Sequence, residues 1–77
     1  MASGWIHPRI GELWRSTEAL FVGEEEGALG RLPADTLLLV VGERRGSIGL
    51  QFRVLYPGGG GWVSEHSRLW EAVNATG

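Results

Sequence analysis

Ser64-Glu65-His66-Ser67 sets the residue types of a hydrolase triad side by side. A working line of nucleophile, base and orienting group needs convergence from separate elements, so these neighbours read as a polar turn. His7 and His66 could join carboxylates around a metal. They lack the helical or hairpin spacing of ligand sets and read as exposed histidines. Pro57-Gly58-Gly59-Gly60-Gly61 has the glycine content of a phosphate cradle, but a tryptophan strand follows it and the Gly-Lys-Ser/Thr step is missing. It reads as a hairpin turn. Arg44, Arg45 and Arg53 have the forked chemistry that grips phosphate or carboxylate, or they line a solvated polar face. Trp5, Trp14, Trp62 and Trp70 sit on four different segments. A buried indole needs a partner for its N–H, so the core holds about two of them. We assign Trp14 and Trp70 to the core, and Trp62 and Trp5 to contact, where tryptophan is a preferred anchor. Tyr56 and Trp62 flank the glycine turn and could frame an aromatic shelf. The expected binding residues are therefore Trp62, Tyr56 and Trp5, rimmed by Arg53, Arg44 and Arg45. No catalytic residue, metal ligand or cofactor is expected.

The chain that must position these groups has 77 residues, enough for one domain with a small core. It is 43% apolar and 21% charged, too apolar for a disordered chain. It has no cysteine, which excludes disulfides and thiolate metal sites. Its charge is −2 and all seven basic residues are arginine. A mildly acidic chain argues against general nucleic-acid binding, because phosphate neutralisation supplies much of that affinity. The longest apolar run, Leu37 to Val41, is far too short to cross a bilayer, and the first nine residues lack the pattern of a signal peptide. A cytoplasmic location and no membrane partner are expected. A small scaffold without staples often leans on self-association.

Residues 1–10 read as an N-terminal arm and residues 74–77 as a frayed tail. Gly11 to Ser16 is a short strand. Thr17 to Pro33, with Glu24-Glu25-Glu26 between glycines, reads as a long loop, although Ala19 to Val22 could be a strand inside it. Thr36 to Gly42 is the strongest strand, and its unbroken apolar run suits a strand covered on both faces or by a partner. Glu43 to Gly49 reads as a polar loop. Leu50 to Tyr56 alternates, with Leu50, Phe52, Val54 and Tyr56 on one face and Gln51, Arg53 and Leu55 on the other. Gly58 to Gly61 turns the chain, Trp62 to Ser64 returns, Ser64 to Ser67 makes one helical turn capped by Ser64, and Arg68 to Val73 closes the sheet. Short strands at regular spacing between turn signals make an all-β barrel.

Gly11-Glu-Leu-Trp, Leu32 to Gly42, Phe52-Arg-Val-Leu-Tyr, Gly61-Trp-Val and Leu69-Trp-Glu together resemble SH3-like small barrels. The likeness covers residues 11–73 and is nearest to the short single-domain kind found in bacteria, phages and mobile genes. Gly61-Trp62-Val63 stands where bacterial SH3 domains carry a Gly-Trp-Val element in the penultimate strand. The resemblance implies a five-stranded barrel, with a long first loop and one helical turn before the last strand. It implies binding rather than catalysis. Where the proline-peptide binders carry paired tyrosines, this chain reads Leu13-Trp14-Arg15. The type II dihydrofolate reductases have a similar length and ending, but their Val-Gln-Ile-Tyr motif is replaced by Trp62-Val63-Ser64-Glu65, so their activity is not carried over. The expectation is a binding or assembly module that contacts a protein partner or itself. The alternatives are an oligomer whose central pore takes a small ligand, and a single-strand nucleic-acid binder.

Overall fold

Phe52 and Val54 need cover from water, whereas Gln51 and Arg53 do not, and this two-residue alternation organises the longest ladder of the sheet. In the computed structural model, which describes residues 7–24, 29–47 and 49–73, the chain is all-β. The strands are β1 (Leu13–Ser16), β2 (Leu20–Gly23), β3 (Leu29–Leu32), β4 (Leu37–Gly46), β5 (Gly49–Tyr56), β6 (Gly59–Ser64) and β7 (Trp70–Ala72). They form one sheet in the order β3-β2-β6-β5-β4-β1-β7, with every neighbour antiparallel. The sheet curls into half a barrel. No helix of the described residues is long and apolar enough to cross a membrane.

The concave face holds the core: Trp14, Leu20, Val22, Leu38, Val40, Phe52, Val54, Val63 and Trp70 are all buried. Trp14 and Trp70 meet with ring centroids 4.7 Å apart and planes tilted by 48°, and Phe52 lies 6.1 Å from Trp70. Tilted aromatic pairs at these distances add to the gain from burial itself. Both indoles find the partner their burial demands. Trp14 Nε1 donates to Glu12 Oε1 at 3.1 Å, and Trp70 Nε1 donates to the Ser67 carbonyl at 3.3 Å.

Four expectations are corrected. The sheet has seven strands, not five: the loop expected over Thr17 to Pro33 contains the β2–β3 hairpin. Leu20 and Val22 alternate with Phe21, so one side of this hairpin reaches the core while Gly23 pairs with Trp62 of β6. The helical turn over Ser64 to Ser67 does not form. The Glu65 N–H donates to the Leu50 carbonyl, and Glu65 Oε2 accepts the Leu50 N–H at 2.8 Å, which holds the chain against β5 in a simple turn. The polar loop over Glu43 to Gly49 is instead mostly strand, because β4 pairs with β5 down to Gly46 and Gly49. Finally, the first of the two alternatives for Leu37 to Val41, cover on both faces within the chain, is not realised: the chain covers it on one side alone. Leu38 and Val40 are fully buried, while Leu37, Leu39 and Val41 are 47%, 39% and 36% exposed.

Gly58 and Gly61 show why glycine is needed in the β5–β6 hairpin. Pro57-Gly58 makes the β5–β6 turn, and Gly58 has φ +95°, a conformation that L side chains rarely adopt. At Gly61 a Cβ would sit 2.9 Å from the Gly23 carbonyl oxygen and 3.3 Å from Val22 Cβ, so β2 lies on β6 at a distance that no larger residue tolerates. Of the expected arm, residues 1–6 lie outside the described residues, as does the tail. His7 to Ile10 run along the sheet, with Pro8 buried and the His7 ring 6.2 Å from Phe52.

Ser16 is the one buried polar side chain among the described residues. Its Oγ donates to the Pro33 carbonyl at 2.8 Å and accepts the Thr36 N–H at 2.9 Å, clamping β1 to the turn before β4. Ser16→Ala strands the Thr36 N–H and leaves the Pro33 carbonyl with the Thr36 hydroxyl alone, so urea denaturation should show a loss of about 1–3 kcal/mol with an unchanged slope. Two carboxyls are held below the ordinary glutamate value of 4.5. For Glu65 the leading cause is the Leu50 N–H, and for Glu12 it is the Trp14 indole N–H. A depressed folded-state value adds stability that is complete above the unfolded value and lost as pH falls through the folded one. Glu65→Gln should therefore lower the urea midpoint at neutral pH. Its further drop between about pH 5 and pH 3 should be smaller than that of the parent.

Candidate functional site

Outward parity on β5 and β6 brings Arg53 directly across from Trp62, and Gln51 across from Ser64. The same parity on β4 would turn Arg44 inward. Leu37 and Leu39 face out while Leu38 and Val40 face the core, which predicts inward positions for even residues. A bulge intervenes. Val40 pairs with Val54 and Gly42 with Arg53, leaving Val41 without a partner on β5. One extra residue inverts the alternation. Beyond it Arg44 pairs with Gln51 on the outer face, while Glu43 pairs with Phe52 and Arg45 with Leu50 on the core side.

Arg44 uses this placement fully. Its guanidinium carbon lies 3.9 Å from the centroid of the Trp62 ring, and its Nε donates to Gln51 Oε1 at 2.9 Å. Arg53 approaches the same ring at 5.8 Å. A hydrogen bond and a stacked ring together orient the guanidinium plane, which leaves its two Nη groups without a partner among the described residues. Beside this cluster lies a groove of about 390 Å³, lined by Trp62, Phe21, Leu29 and Leu69 with Gln51 and Ser64. Arg31 lies 6.0 Å from the Phe21 ring on the neighbouring hairpin.

The expected site is thus assembled in part. Trp62, Arg44 and Arg53 come together. Tyr56 does not join them, because it pairs with Gly59 on the core-side parity and donates its hydroxyl to the Gly60 carbonyl at 3.1 Å. Its phenol is pushed up, first by burial and then by Glu24. The expected shelf of Tyr56 with Trp62 is therefore absent. Arg45 leaves the cluster because the bulge sends it to the other face. Trp5 lies outside the described residues. Four groove residues were not singled out from sequence: Gln51, Phe21, Leu29 and Leu69. The alternation of β5 could have flagged Gln51 as the neighbour of Arg53, whereas Phe21 and Leu29 required the hairpin to be known.

The polar quartet at the β6 exit has a structural task. Ser64 Oγ accepts the His66 backbone N–H at 3.0 Å, and Glu65 is held by Leu50 and by His7 Nε2 at 3.3 Å. Among the described residues no three side chains of metal-ligating type converge. Comparison of the chain with protein-family models, with curated proteins and with solved structures finds no match.

Stacking of a cation on an indole at a partly exposed site is worth about 0.5–1 kcal/mol. A double-mutant cycle of Arg44→Ala and Trp62→Leu, followed by urea denaturation, should return a coupling of about that size. The same cycle with Arg45→Ala should return none.

Proposed function

We propose that the chain is a small binding and assembly module of SH3-like type that contacts a protein partner through the outer face around Trp62. The observation that carries this reading is the pre-oriented Arg44 on Trp62, beside Arg53 and an apolar groove. Tryptophan and arginine are the residues in which interface energy most often concentrates, and ordering them beforehand lowers the entropy cost of binding. Five of the seven strands fall where a five-stranded barrel was expected, and the β2–β3 hairpin stands in the chain position of its long first loop. Peptides selected from a random displayed library should perturb the amide resonances of Gln51, Arg53 and Trp62 and lose binding to Trp62→Ala. Selected peptides that map elsewhere, with Trp62→Ala binding normally, contradict the reading.

Self-contact has its own support. Leu13, Leu39 and Leu55 stand in one cross-strand row on the outer face, 39–42% exposed, with Leu37 beside them. Apolar rows of this kind mark association surfaces. Light scattering on a sizing column should give a mass above the 8.4 kDa of one chain, and Leu39→Glu should reduce it to that value. A single-chain mass for the parent removes the assembly half of the proposal.

A further inference from the structure

The chain carries nine carboxylates against seven arginines, yet it does not mix them evenly over its two faces. On β2 to β6 the outward positions hold Arg31, Arg44 and Arg53 and no carboxylate. Among the described residues, the acidic side chains next to this face turn away. Glu43 pairs with Phe52 on the core side, Glu24 lies toward Gly30 and Tyr56, and Glu65 is bonded to Leu50. Over the described residues, an acidic protein thus presents a basic face beside its groove.

We propose that this groove takes an acidic peptide, with a side-chain carboxylate on the Arg44 fork and a neighbouring apolar side chain between Trp62, Phe21 and Leu29. The inference rests on the Trp62 face being the contact surface and adds the chemistry of its ligand. Among the described residues Arg44 keeps both Nη groups available in a plane fixed by Gln51 and by the indole, which is the geometry a carboxylate accepts in two parallel hydrogen bonds. The groove next to it is lined by Phe21, Leu29, Trp62 and Leu69 on one part and by Gln51, Ser64 and Ser67 on another, and the apolar part suits leucine-like groups. Single-stranded nucleic acid needs a bare aromatic face for its bases. Here the Arg44 guanidinium already covers the Trp62 ring, and a base would have to displace it.

Three probes decide the matter in nuclear magnetic resonance titrations of the ¹⁵N-labelled chain: an end-blocked peptide alternating leucine with aspartate, its leucine–asparagine counterpart, and oligothymidylate. The aspartate peptide should shift the Arg44 Nε–H and Trp62 Nε1–H signals, and its binding should weaken with salt. Arg44→Gln should weaken it roughly tenfold or more, the usual size of a lost charge-assisted contact. Arg44→Lys, which keeps the charge without the fork, should stay weaker than the parent. Full binding by the lysine variant overturns the forked contact. Equal binding of the asparagine peptide, or tighter binding of oligothymidylate on this face, overturns the acidic ligand but leaves the contact surface standing. If no probe shifts any signal on the Trp62 face, the acidic ligand is overturned, and the contact surface stands or falls with the displayed-peptide selection.

Discussion

At Val41 the β4 strand carries one residue more than β5 can pair, and the faces of everything beyond it are exchanged. Before that point the outward residues of β4 are Leu37 and Leu39; after it they are Gly42 and Arg44. A methyl group at Gly42 would lie 3.7 Å from Arg53 Cβ, so the second half of the strand shares its outer face with Arg53 and Trp62. The bulge thereby divides one strand into two functions. Its first half offers an apolar row across β1, β4 and β5, and its second half supplies the cation that lies on Trp62.

The inner face is arranged so that these outer choices do not disturb it. Its aromatic centre is satisfied locally: Glu12 and Ser67 serve the two indoles, and Ser16 ties β1 to the start of β4. A domain of this size buries only about 60% of the surface its unfolded chain exposes, so an unpaired polar group inside would consume much of its stability. Trp62 escapes that demand by standing on the outer face, where its ring is covered by arginine rather than by core. The β2–β3 hairpin extends that face past β6 with Phe21 and Leu29, 60% and 75% exposed, and makes a groove out of what would be an open sheet edge.

Part of this was legible in the residues. The alternation from Leu50 to Tyr56 separates Arg53 from Phe52 and Val54 with no further information, and the assignment of Trp14 and Trp70 to the core comes from the residues, whereas their contact with each other does not. Other features depend on relations that periodicity does not carry. Arg44 and Arg45 are adjacent and chemically identical, and which one meets Trp62 is decided by a two-against-one count several residues earlier. The β2 strand has four residues between a polar stretch and an acidic run, and its place in the sheet rests on a long-range pairing of Gly23 with Trp62. Leu37 to Val41 reads as covered on both faces or by a partner because every residue is apolar, while within one chain the structure covers every second one.

The central claim is that the bulge aims Arg44, and not Arg45, at the Trp62 ring. Proton chemical shifts of the arginine side chains test it directly, because protons above an indole face are moved upfield by its ring current. The Arg44 side-chain protons should lie clearly upfield of those of Arg45 and return toward them in Trp62→Leu. Unshifted Arg44 protons, or Overhauser contacts joining Arg45 to the Trp62 ring, would contradict the account.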